Sequence, residues 1–114
     1  MKLIIAGGRD YRFTPKDIEQ LNQLDKITEV VSGGAKGADA EGEQWATEQG
    51  IPVKVFKADW KQYGRGAGPR RNQAMADYAD AVALFPGGKG TENMFRQAQK
   101  ASLVIYDWRS RINL

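Results

Sequence analysis

Short apolar runs alternate along this chain with segments whose apolar residues recur at helical spacing. Lys2 to Ala6 is the first run, and it ends in Gly7–Gly8, which predicts a buried strand entering a tight loop. Thr14, Pro15 and Asp17 then supply an N-cap, a proline at the first helical position and an acid in the first turn. Ile18, Leu21 and Leu24 follow at helical spacing, so a helix is expected from about Pro15 to Leu24. Glu29 to Ser32 reads as the second strand, closed by Gly33–Gly34, and a helix from about Ala38 to Gln49 ends on Gly50 as its C-terminal cap. Pro52 to Phe56 is the third strand. The stretch from Lys57 to Ala67 holds Trp60, Tyr63, Gly64 and Gly66 without periodicity and reads as a loop. Pro69 opens a helix running to about Ala79, and Ala81 to Phe85 is the fourth strand, ending in Pro86–Gly87–Gly88. Thr91 is placed as the cap of a last helix with Met94, Phe95, Ala98 and Ala101 as its buried stripe. Leu103 to Tyr106 is the fifth strand, and a polar tail closes the chain.

Strict alternation of strand and helix calls for βαβ units. The expected fold is α/β: a Rossmann-like three-layer domain with a mainly parallel sheet of about five strands and helices on both faces. At 114 residues the chain is read as a single domain, residues 1–114. Right-handed crossovers would then gather the glycine loops at the carboxyl ends of the strands.

Composition removes more chemistry than any motif adds. With no cysteine and no histidine, disulfides, thiolate nucleophiles, Cys-rich zinc sites and the usual general base are all excluded. No metal or cofactor is called for. Any reaction must run on Asp, Glu, Arg, Lys, Tyr, Ser, Thr or backbone amides. The formal charge of +3 is mild and its cations are scattered, which permits attraction to anions and argues against a nucleic-acid interface. No apolar run reaches membrane-spanning length, and the opening KLIIAG is too short for a signal segment, so a cytoplasmic protein is expected.

Three strand-to-helix loops carry the candidate chemistry: Gly7-Gly8-Arg9-Asp10, Ser32-Gly33-Gly34-Ala35-Lys36-Gly37 and Pro86-Gly87-Gly88-Lys89-Gly90-Thr91. Glycine lets backbone amides approach an anion closely, and a following helix N-terminus adds about half a positive charge. Any one such loop is better explained by the tight turn itself. Two loops that each carry a lysine and each precede a helix favour binding. The dinucleotide fingerprint fails because Ser32 stands where glycine is required, and the Walker-type loop fails because Lys89 is followed by Gly90.

Taken together, GGRDY (7–11), SGGAKGAD (32–39), ADW (58–60), GPRRNQAM (68–75) and FPGGKGT (85–91) resemble the YspA-like branch of the SLOG superfamily, named for its Smf/DprA and Lonely Guy members. The resemblance runs in order over nearly the whole chain. It implies a Rossmann-like fold, recognition of a nucleotide-derived small molecule, a homo-oligomer and a place in bacterial or phage conflict systems. The Lonely Guy relatives are phosphoribohydrolases with the signature P-G-G-x-G-T-x-x-E and an arginine on an R-K-x-x-M helix. Here Arg71 and Met75 match, Asn72 replaces the lysine, and Met94 stands at the glutamate position. Cleaving an N-glycosidic bond passes through an oxocarbenium-like state that a nearby carboxylate stabilises. Glu92, two residues earlier, points about 200° away on a helix. Binding or sensing is therefore the leading function, with an N-glycosidic hydrolase using Arg71 and either Asp10 or Asp39 as the alternative.

Individual residues keep two readings each. Arg71, placed in the first turn of its helix, opposes the helix dipole and so points to an anionic partner. Asp39 suits either capping or a ribose hydroxyl, and Asp10 suits either a pair with Arg9 or a site carboxylate. Trp60 and Tyr63 could stack on a base or cover a small hydrophobic cluster. Trp45 and Phe95 read as core or as a subunit contact.

Overall fold

The computed structural model describes residues 1–110. Five strands form one sheet in the order β3-β2-β1-β4-β5, with every neighbouring pair parallel. They are β1 (Lys2–Ala6), β2 (Glu29–Ser32), β3 (Val53–Val55), β4 (Ala81–Leu84) and β5 (Val104–Asp107). The helices are α1 (Pro15–Asn22), α2 (Ala38–Glu48), α3 (Trp60–Tyr63), α4 (Ala67–Tyr78) and α5 (Lys89–Lys100). This is the α/β, Rossmann-like arrangement the alternation predicts.

The central strands β1 and β4 are apolar on both faces because each face meets a helical layer. Leu3 and Ile5 of β1 join Val30, Leu21, Trp45 and Phe85 in one core, while Ile4 joins Val31, Val82, Met75, Met94 and Ala98 in the other. Burying each of these larger aliphatic side chains contributes about 1.5–3 kcal/mol. Trp45 is thus a core residue, its indole N–H donating to Asn22 Oδ1 at 3.0 Å. Phe95 is only partly buried at the edge of the second core, with the Arg109 guanidinium over its ring.

Helix boundaries follow local chemistry. Thr14 caps α1 in a full capping box with Asp17, whose carboxylate is fully buried and also accepts from the Tyr11 hydroxyl at 2.5 Å. Three expectations need correction. The segment read as a loop contains α3, capped by the Asp59 side chain, and a 3₁₀ turn over Gly64–Gly66. Helix α4 begins at Ala67, two residues before Pro69, so Arg71 lies in its second turn and the dipole argument loses its force there. Helix α5 begins at Lys89 with Gly88 as N-cap, which leaves Thr91 inside the first turn rather than capping it. The polar tail beyond Ser110 lies outside the described residues.

Sheet order reverses between β1 and β4, so the loops after these two strands diverge and open a crevice at the carboxyl ends. The candidate site lies there.

Candidate functional site

The crevice is a cleft of about 520 Å³, within the usual range for small-molecule sites. Its walls come from the loop after β1, the starts of α4 and α5, and the exposed face of α3. Arg9, Arg65, Arg71 and Lys89 line it against a single carboxylate, Asp39. Such an excess of cations favours an anion.

The three glycine loops divide by what their amides already do. In the first, the Gly8 N–H donates to the Pro86 carbonyl at 2.9 Å and the Gly8 carbonyl accepts from Ala38 at 3.1 Å. In the second, Gly34 N–H goes to Ser32 Oγ and Ala35 N–H to Asp39 Oδ2. These donors knit the loops together. A Cβ at Gly37 would lie 2.2 Å from the Gly8 carbonyl oxygen, and one at Gly87 would lie 2.2 Å from Thr91 Oγ1, so both positions serve loop packing. Gly88 and Gly90 differ: both line the cleft, and an added Cβ would meet nothing within 4 Å.

The start of α5 is left open. The first amides of any helix lack intrahelical acceptors, and no side chain caps this one. Thr91 borders the cleft and is only 5% exposed, with its Oγ1 beside Gly87 and no hydrogen-bond partner among the described residues. By contrast α1 and α3 carry side-chain caps, and the first amide of α2 is taken by Gly8.

Arg71 crosses from α4 to the second loop, donating from Nη1 to the Gly33 carbonyl at 2.5 Å and from Nε to Asn72 Oδ1 at 3.0 Å. Asn72 Nδ2 donates in turn to the Gly90 carbonyl and to Asn93 Oδ1. Burial pushes the Asp39 carboxyl above the ordinary carboxylate range, opposed by the Ala35 amide and the Arg71 charge. Burial likewise lowers the Arg71 guanidinium, with Asp39 opposing.

Of the residues expected from sequence, Gly7, Gly8, Arg9, Asp39, Trp60, Arg71, Asn72, Gly88, Lys89, Gly90 and Thr91 border the cleft. Ser32, Gly33, Gly37 and Pro86 lie behind these in the loops, while Asp10, Gly34, Lys36 and Gly87 are exposed and outside the lining. Trp60 is 52% exposed, whereas Tyr63 is engaged by the Arg70 guanidinium over its ring. Met94 is buried at the cleft floor, and Glu92 is turned away to Arg96 and Arg109. Sequence reasoning passed over Arg65, Asn93 and Gly68. The helical spacing of Asn93 from Gly90 was the available signal for one of them.

A parallel Rossmann-like sheet with an anion-friendly cleft at its switch point defines a broad class of ligand-binding α/β domains. Within that class, residues 1–63 match the YspA, cpYpsA-related SLOG family, and the chain belongs to it. The chain is also 38% identical over 119 residues to the gene 61 protein of Mycobacterium phage D29, covering 94% of this chain and 95% of that protein. No solved structure matches the chain.

Proposed function

We propose that this protein binds or senses a phosphate-bearing, nucleotide-derived small molecule in the cleft. One observation carries the reading: the open start of α5, where the uncapped first turn, Thr91 included, borders a space lined by four cations. Amides and hydroxyls held by rigid elements recognise phosphate oxygens without a histidine or a metal. The half-exposed Trp60 on the rim offers a flat apolar face for a base. The test is a mass spectrum of small molecules released from the purified protein, followed by titration of the compound found. A protein that carries no nucleotide-derived compound, and whose melting no nucleotide shifts, would refute the proposal.

A second reading has one observation behind it. Asp39 is a buried carboxyl beside Arg71 in the same cleft. It is the one carboxylate of the lining that could take the role Met94 cannot, in N-glycosidic cleavage of a nucleoside monophosphate or ADP-ribose-type ligand. Release of free base that disappears in Asp39→Ala would favour this reading. We further propose a homo-oligomer, to be measured by light scattering.

A further inference from the structure

Hydrogen-bond polarity in the cleft is set by a short relay that begins at Arg71. A guanidinium can only donate, so the Asn72 atom 3.0 Å from Arg71 Nε is the amide oxygen. The Asn72 nitrogen must then point the other way. There it meets two acceptors, the Gly90 carbonyl at 3.3 Å and the Asn93 side chain at 3.0 Å. Since that nitrogen donates, the Asn93 atom facing it is Oδ1, and the Asn93 NH₂ is turned away from Asn72. Asn93 lines the cleft, and no described residue accepts from its NH₂.

We propose that Asn93 is a specificity-determining residue whose side-chain NH₂, oriented by Arg71 through Asn72, donates to an oxygen of the bound ligand. This rests on the reading of the cleft as a phosphate-bearing nucleotide site. It deepens that reading in chemical terms. The open start of α5, the Thr91 hydroxyl, Arg71, Lys89 and the Asn93 NH₂ all present donors, so the favoured ligand presents only acceptors along this wall. A phosphate monoester meets that demand. A ligand with an amide or ammonium donor at the same place would leave two donors facing each other.

The experiment uses the ¹⁵N-labelled full chain with adenosine 5′-monophosphate and inorganic phosphate as probes. On titration with the monophosphate, the Asn93 side-chain NH₂ signals are expected to move together with the backbone amides from Gly88 to Thr91. Asn93→Ala should weaken binding of this probe by roughly tenfold, and Asn93→Asp should weaken it more because it turns a carboxylate toward an anion. If the Gly88–Thr91 amides move while the Asn93 NH₂ stays still and Asn93→Ala binds as the wild type does, the role of Asn93 is overturned and the site survives. A loss of affinity confined to Asn93→Asp overturns that role equally, since charge repulsion alone produces it. If neither probe moves those amides, the site and the inference fall together.

Discussion

Replacing Gly88 by valine separates the cleft from the fold. The added Cβ meets no protein atom within 4 Å, so the side chain extends into the open space that Gly88 borders. Stability should fall only by the loss of a tolerated N-cap residue, about 1 kcal/mol, which is roughly 4 °C in Tm for a domain of this size. Binding should suffer far more. Two charge-assisted hydrogen bonds from the α5 amides, at about 1.5–3 kcal/mol each, amount to about 3–6 kcal/mol or at least a hundredfold in Kd. Gly87→Ala is the control, because its Cβ would lie 2.2 Å from Thr91 Oγ1 and 2.7 Å from the Gly8 nitrogen. Backbone must move there, and the overpacking should cost about 1–3 kcal/mol of stability. Thermal melts of both variants, with calorimetric titration of adenosine 5′-monophosphate, give the comparison. Wild-type affinity in Gly88→Val, or a larger loss of Tm in Gly88→Val than in Gly87→Ala, would refute the reasoning.

Arg71→Ala should weaken nucleotide binding at least tenfold and also lower Tm, since the Gly33 and Asn72 bonds are lost with it; unchanged affinity by titration would count against it. Burial makes the folded protein hold the Asp39 proton more tightly than the unfolded chain does. That contribution is fully present below an unfolded pKa of about 3.9 and is lost as pH rises through the folded value. Asp39→Asn should therefore gain in Tm relative to wild type between pH 3 and pH 7, and a growing disadvantage would mean that the Arg71 charge outweighs burial. Asp107, held below the ordinary range by Arg109, has the opposite sign: its contribution is present above the unfolded pKa and is lost as pH falls through the folded one. Asp107→Asn should flatten the acid limb of the same melts. Finally, no base release from nucleoside monophosphates is expected by chromatography, because a missing catalytic carboxylate typically costs roughly a thousandfold or more in rate.

The fold was legible because parallel strands buried on both faces leave continuous apolar runs, and Lys2–Ala6 and Ala81–Leu84 are such runs. Short-range capping chemistry was legible where a side chain performs it, as at Thr14. It was missed at Gly88, where the cap has no side chain, and at α3, where four residues are too few to show a period. Proline misled at Pro69 because its lost N–H costs nothing throughout the first turn, so it marks that turn and not its first residue. Of the candidate site, glycine content alone could not separate Gly87, which packs, from Gly88, which opens on the cleft. That distinction depends on what lies opposite each Cα. The partnership of Arg71 with Gly33 spans 38 residues and has no local signature at all.

The uncapped start of α5 has a consequence for the protein's persistence in a cell. A helix end capped by glycine without a side chain forgoes only about a few tenths of a kcal/mol relative to a side-chain cap, but it leaves the first-turn amides free to take an anion. Any anion that settles there restores satisfied donors in the native state alone, and mass action then shifts the folding equilibrium by about 2.7 kcal/mol when its free concentration is a hundred times Kd. Proteases that sample the opened chain would meet it about a hundredfold less often. If the proposed ligand binds there, its supply and the protein's steady-state abundance would be coupled through the folding equilibrium alone.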